Sequence, residues 1–128
     1  MGSPVPIVYD RVFAEDGGSH LERCFLPLVS RAFAPPAPAF EVSDALNAAT
    51  CRVFRLPAGW RGDWHPTPIR QWLFILSGTA SIEVSDGSVV RASAGSVVLL
   101  EDVDGKGHKT SVIGSEDVVM AAVQAPLP

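Results

Sequence analysis

The chain has 128 residues, of which 47% are hydrophobic and 19% are charged, and its net charge is −4. This length and composition predict one globular domain with its own core and exclude a disordered chain. The acidic balance, without a cluster of Lys and Arg, argues against a nucleic-acid partner and against a membrane-surface partner. No apolar run approaches the ~18 residues of a membrane span and no signal peptide is recognisable, so we expect a cytoplasmic protein.

Turn-forming residues are frequent, with eleven glycines and eleven prolines, and apolar residues at helical spacing are almost absent. Short apolar runs separated by turn signals are typical of an all-β protein. Cys24 and Cys51 are the two cysteines and show no C-x-x-C spacing. We therefore expect both to be reduced strand residues and not a metal pair or a disulfide.

The first third of the chain carries weak strand signals. Residues 1–19 predict an N-terminal arm with a short strand near 7–13, and residues 20–26 alternate as a second strand does. The stretch 33–40 is rich in proline, which donates no ladder hydrogen bond, so it predicts an edge or a surface loop. Residues 40–47 predict a bend or a short helical turn.

From residue 49 onward the strand signals are stronger, and Asp86-Gly87 predicts a type I′ hairpin turn. The total of nine or ten strands is enough to close a barrel or a double sheet. We expect residues 1–48 to form an N-terminal arm and edge strands that pack on a core of residues 49–128, within one structural domain. The predicted strands of that core are 49–56, 72–76, 79–84, 89–93, 96–100, 109–113 and 117–124.

Two motifs of glycine and histidine lie on either side of the predicted hairpin 79–93. The first consists of Gly59, His65, Gln71 and Gly78, and the second of Gly95, Gly105 and His108. Their spacing resembles the two motifs of the cupin superfamily over about residues 49–123. The resemblance implies an all-β, cupin-type jelly-roll β-barrel (a double-stranded β-helix) with both histidines facing its interior. Related small cupins are commonly dimers that exchange N-terminal strands, which implies a homodimer formed through residues 1–30 and the Pro-rich stretch.

The departures from the cupin pattern concern the metal ligands. A typical cupin binds a divalent metal through three histidines and one glutamate, but here Thr67 stands for the second histidine and Gln71 for the glutamate. In the second motif, Glu101 replaces the proline and Val112 replaces the terminal asparagine. The G-x-x-H part lies two residues later than in the strict cupin pattern. Only His65 and His108 match residue by residue.

Three functions are open for this pair of histidines. In the first, His65 and His108 are catalytic, as general acid and base in an isomerisation, cyclisation or elimination of a small organic substrate. Asp102 or Asp104 would then orient His108, and Asp63 would orient His65. In the second, His65, Gln71 and His108 bind Fe, Zn, Ni or Mn in an oxygenase or hydrolase, although two imidazoles and an amide lack the anionic ligand of such sites. In the third, the protein is a non-catalytic ligand-binding or sensor protein.

Aromatic and polar residues around the first motif are candidates for substrate binding. Loop aromatics beside a pocket histidine can form an apolar wall, and an arginine can anchor a carboxylate, although core packing and solvent exposure are the competing interpretations. His20 is the third histidine and is expected on an exposed strand. The candidates are Trp60, Trp64, Thr67, Arg70, Trp72 and Phe74.

Overall fold

The computed structural model describes residues 4–127, so residues 1–3 of the predicted arm and Pro128 of the tail lie outside the described residues. Within this range the chain forms eleven strands and no helix, which confirms the all-β prediction. No helix of the described range could therefore cross a membrane. The strands are β1 (Ile7–Glu15), β2 (Gly18–Leu26), β3 (Leu28–Arg31), β4 (Phe40–Ser43), β5 (Cys51–Leu56), β6 (Gln71–Ser77), β7 (Thr79–Val84), β8 (Val89–Ser93), β9 (Val97–Leu100), β10 (His108–Ile113) and β11 (Val118–Gln124).

The strands form three sheets. The largest has the order β2-β1-β9-β6-β11-β5, the second β10-β7-β8, and the third consists of β3 and β4 alone. All neighbours are antiparallel except β1 and β9. The free cysteines lie on β2 and β5, the two opposite edges of the six-stranded sheet, as expected for unpaired strand residues.

The hydrophobic core lies between the six-stranded and the three-stranded sheets. Strand β7 shows how the sequence builds this core. Its side chains alternate between the two faces of the sheet, so Ala80, Ile82 and Val84 all point inward and are buried. Leu73 and Met120 of the larger sheet pack into the same cluster. The two sheets therefore face each other across one core.

A segment that we call the loop strand, residues 60–65, extends the three-stranded sheet beyond β10. Gly62 N donates to Thr110 O (2.8 Å), and Val112 N donates to Trp60 O (2.9 Å). Isolated bridges at Arg61 and His65 continue this pairing. The first predicted motif thus lies along the strand that carries the second one.

The type I′ turn lies between β1 and β2 and not where the sequence predicted it. Asp16 and Gly17 have φ values of 53° and 80°, as this turn requires. At Asp86-Gly87 only the glycine has a positive φ, 93°, so the predicted type I′ turn was wrong there. The Asp86 carboxylate instead accepts a hydrogen bond from Ser88 N (2.8 Å), which stabilises a different local turn.

Strands β3 and β4 pair only with each other and project from the core. Residues 31–41 are all exposed, and the Phe33 and Phe40 rings lie 5.8 Å apart. The bend or helical turn predicted for residues 40–47 was wrong over Phe40–Ser43, which is strand β4. The expected homodimer through this region stays a prediction.

Candidate functional site

The two motif histidines lie side by side, as the spacing of their motifs implied. His65 N donates to His108 O (3.1 Å), and His108 N donates to His65 O (2.9 Å). In this hydrogen-bonded antiparallel pair the imidazole centroids lie 4.8 Å from each other, with 54° between the ring planes. His108 begins β10, and His65 ends the loop strand, so one histidine is on a regular strand and the other on a loop.

Gly107 makes this close approach possible. Its φ is 76°, and a Cβ atom added there would lie 2.0 Å from His65 O. The Gly107 carbonyl accepts a hydrogen bond from the buried Ser19 hydroxyl (2.6 Å), which ties the loop to the start of β2. Only glycine combines this backbone conformation with contact to the opposite strand.

Asp102 orients His108 from behind the ring. Its Oδ2 lies 2.6 Å from His108 Nδ1, and both side chains are buried, at 0% and 5% exposure. A carboxylate only accepts hydrogen bonds, so Nδ1 carries the proton and Nε2 keeps its lone pair in the neutral ring. Asp102 Oδ1 has no partner among residues 4–127. An unsatisfied buried oxygen is costly, so this one calls for a partner that is not a protein group, such as a water molecule.

His65 has the same tautomer through a different acceptor. Its Nδ1 lies 2.8 Å from the Asp63 backbone oxygen, which can only accept a hydrogen bond. The sequence suggested that the Asp63 side chain orients His65, but the partner of the ring is the Asp63 backbone oxygen and not its carboxylate. Both neutral rings therefore present Nε2 as a hydrogen-bond acceptor.

Gln71 is oriented by Thr67. The Thr67 hydroxyl donates to Ile69 O (2.7 Å), so it accepts the hydrogen bond from Gln71 Nε2 (3.1 Å). This leaves Gln71 Oε1 without a partner among the described residues. Thr67 is buried and does not line the cavity, so its position differs from that expected of a substrate-binding residue.

A cavity of about 140 Å³ opens beside the histidine pair, between the two facing sheets. His65 is exposed and His108 is buried, which places the pair across the mouth of the cavity. Its polar lining consists of His65, Gln71, His108 and Thr110. Its apolar lining consists of Phe54, Leu56, Trp60, Leu73, Ile82, Leu100 and Met120.

Two candidate residues of the first motif are engaged outside the cavity. Arg70 Nε donates to Glu101 Oε2 (2.6 Å), and its Nη1 donates to Ala125 O (2.9 Å). Trp64 packs under Lys106, whose Nζ lies 4.8 Å from the ring centroid. Arg70 and Trp64 therefore do not reach a ligand in this cavity, because ionic and cation–π contacts hold them elsewhere.

Trp72 and Phe74 occupy the outer face of β6. Successive strand residues point to opposite faces, so Gln71 and Leu73 point into the cavity while Trp72 and Phe74 point away. The Trp72 ring makes an edge contact with Tyr9, at a centroid distance of 4.9 Å. The interpretation of these two aromatics as packing residues fits their position, and the substrate-binding interpretation does not.

Glu101 connects the site loop to the N-terminal strand. It accepts hydrogen bonds from Arg11 on β1 and from Arg70, and its backbone N donates to Val12 O (2.7 Å). Burial raises the pKa of Glu101, but these two guanidinium groups outweigh it and hold the pKa below its usual range. The ionised carboxylate thus fixes the loop that carries Asp102.

The residues that sequence reasoning missed are the apolar walls of the cavity. Apart from Trp60, they come from β5, β6, β7, β9 and β11, five strands that are spread along the sequence. The alternation within each strand gives a usable signal for which residues point inward. It does not show which of those residues surround the histidines, because that depends on the strand order.

No protein-family model matches the chain, and no curated protein matches it. Among solved structures, a cupin domain of Cnp3 from Schizosaccharomyces pombe is 17% identical, covering 84% of this chain and 74% of that chain, with a TM-score of 0.49. A conserved protein of unknown function from Streptococcus pyogenes, SPY1581, is 24% identical over 61% of this chain and 65% of that chain, with a TM-score of 0.43. Protein NMB1881 from Neisseria meningitidis is 9% identical over 91% of this chain and 82% of that chain, with a TM-score of 0.44.

Two facing β-sheets hold the histidines of the two motifs beside each other. The all-β fold predicted from the sequence is confirmed. It does not by itself define an activity, because one fold carries many unrelated chemistries.

Proposed function

We propose that this protein binds a small organic molecule in the two-histidine cavity and moves a proton on it. The observation that carries the proposal is the buried pair of Asp102 and His108, whose free Nε2 belongs to a cavity-lining ring. A buried imidazole with a carboxylate behind it and an open nitrogen in front is the arrangement of a general base.

In the proposed reaction His108 Nε2 accepts a proton from a carbon or oxygen of the substrate. The ring becomes an imidazolium, and Asp102 stabilises the new positive charge across the 2.6 Å hydrogen bond. His65, held by the Asp63 carbonyl, donates a proton to a neighbouring substrate atom when it is itself protonated, and proton exchange with water then restores both rings. Removal and return of one proton is an isomerisation, and loss of a leaving group instead of the return is an elimination.

The metal-dependent alternative has one observation in its favour and one against it. Histidines that donate Nδ1–H to a carboxylate or a carbonyl have the tautomer of metal-ligating histidines. The cavity, however, offers two imidazoles and the Gln71 amide, and no three His, Cys, Asp or Glu side chains of residues 4–127 cluster as metal ligands. This uncharged donor set does not fit a tight site for Fe, Zn, Ni or Mn. Metal content stays a prediction, testable by elemental analysis of protein purified without chelator.

The proposal is tested by deuterium exchange into a small hydroxyketone, such as 2-hydroxycyclohexanone, in D2O. The wild type should accelerate exchange of the proton next to the carbonyl, and His108→Ala should reduce that rate about 100-fold, the usual contribution of a general base. His20→Ala is the matched control, because His20 also pairs with an aspartate, Asp86, but lies outside the cavity.

Equal exchange rates in wild type and His108→Ala would contradict the catalytic proposal. If the hydroxyketone also shifts the NMR signals of cavity residues, the non-catalytic ligand-binding alternative is favoured instead. Circular dichroism and thermal melting of His108→Ala establish that the variant is folded before its rate is interpreted.

A further inference from the structure

The polar atoms of the cavity that lack a protein partner are mostly hydrogen-bond acceptors. His65 Nε2 and His108 Nε2 are acceptors in the neutral rings, because their Nδ1 atoms donate to Asp63 O and Asp102. Gln71 Oε1 is also an acceptor, because the amide nitrogen is directed to Thr67. The Thr110 hydroxyl can donate or accept. A ligand that satisfies this set must itself donate hydrogen bonds.

These acceptors lie at one end of the cavity. Gln71 is the first residue of β6 and His108 the first of β10, while Leu100 is the last residue of β9. Gln71 pairs with Leu100, and His108 pairs with His65. The three acceptors therefore gather at this end of the cavity. The apolar side chains Leu73, Ile82 and Met120 lie further along the strands, where Thr110 pairs with Ile82.

Size and charge limit the ligand further. The cavity holds about 140 Å³, and an apolar protein cavity of ~150 Å³ is filled by one benzene molecule. Among residues 4–127 no Asp, Glu, Lys or Arg lines it, so a charged ligand would find no permanently charged side chain to offset its charge, and the neutral histidine rings do not offset it either.

We infer that the ligand of this cavity is an uncharged, compact, largely apolar molecule, about the size of a single ring, that carries a hydroxyl as its polar group. The hydroxyl donates to the histidines and Gln71 at the mouth, and the apolar body fills the space between the sheets. This inference rests on the proposed function and specifies the substrate class of the same site.

The experiment compares three single-ring ligands by NMR titration of 15N-labelled protein at pH 8. Phenol and toluene differ only by a hydroxyl in place of a methyl group, and benzoate adds a negative charge. Phenol should bind about fivefold more tightly than toluene or better, which corresponds to one net hydrogen bond. Benzoate should bind more weakly than phenol. In Gln71→Leu the preference for phenol over toluene should shrink, whereas Thr79→Val, a substitution outside the cavity, should preserve it.

The outcomes distinguish a wrong ligand class from a cavity that binds no small ring compound. If toluene binds as tightly as phenol, or benzoate binds best, the ligand class is wrong and the small-molecule cavity stands. If none of the three shifts the signals of cavity residues at millimolar concentration, the ligand class is overturned together with the proposal that this cavity binds a small ring compound. If phenol is preferred equally in wild type and Gln71→Leu, the hydroxyl is recognised elsewhere and the inference is overturned.

Discussion

The protein contains two pairs of histidine and aspartate that are chemically alike and differ in their surroundings. His20 Nδ1 lies 3.0 Å from Asp86 Oδ2, with about a third of each side chain exposed, whereas His108 and Asp102 are 2.6 Å apart and buried. Water competes for the first pair and weakens it, because exposed ion pairs contribute little. The second pair is removed from water, and its histidine lines a cavity. The comparison shows that burial, and not the residue pair itself, marks the candidate site.

The largest effect on stability should come from replacing the glycine beside the buried pair, with the glycine beside the exposed pair as its control. Gly107→Ala should cost about 3 kcal/mol or more of unfolding free energy, since its Cβ would overlap the His65 backbone in a left-handed conformation. Gly87→Ala, next to Asp86, has the same sign of φ and no atom within 4 Å of its Cβ, so it should cost about 1 kcal/mol. Urea unfolding measures both.

Equal costs for the two alanine variants would mean that the loop at Gly107 adapts without separating the histidines. In that case the chemical shifts of His65 and His108 in Gly107→Ala should stay as in the wild type. A large cost with strongly shifted histidine signals is the expected result.

An intermediate effect should come from the aspartates. Asp102→Asn should destabilise the protein by about 2 kcal/mol, because the amide leaves a buried donor unsatisfied and removes a charge-assisted hydrogen bond. It should also slow the proton exchange at the cavity, since an amide stabilises the imidazolium less well. Asp86→Asn should destabilise the protein much less and leave the exchange rate unchanged. If both substitutions are equally mild, burial does not distinguish the pairs.

The smallest effect concerns the acid titration of the exposed pair. Hydrogen bonds from Ser88, and secondly from His20, hold the pKa of Asp86 below its usual range. A carboxyl with a lowered folded-state pKa adds stability above its unfolded pKa of ~3.9, and this contribution is lost as the pH falls through the folded value. Ser88→Ala should raise the pKa of Asp86 more than His20→Ala does, as measured by NMR of the carboxyl carbon. The opposite order would assign the shift to the histidine.

Periodicity and turn chemistry were sufficient to predict the strands of the core, whereas the proximity of the two histidines was implied by the resemblance of their motifs to those of cupins. Strands β7 and β8 have the predicted bounds, because turn residues mark their ends: a glycine precedes β7, and an Asp-Gly turn separates β7 from β8. Strand β4 was missed, since its short sequence follows three prolines and pairs only with β3. The sequence left two candidates, Asp102 and Asp104, for the residue that orients His108. Both lie in the same loop, and only the fold distinguishes them. Asp102 is buried and Asp104 is exposed.

The loop strand connects local unfolding with access to the site. Four backbone hydrogen bonds hold residues 60–65 along β10, and two of them join His65 to His108. Because these bonds lie outside the main ladders, they are expected to open at a lower free energy than the core strands do. Each opening would separate the imidazoles without disturbing either sheet. The amide hydrogen exchange of Gly62 and His65 would then report how often the cavity admits or releases a ligand.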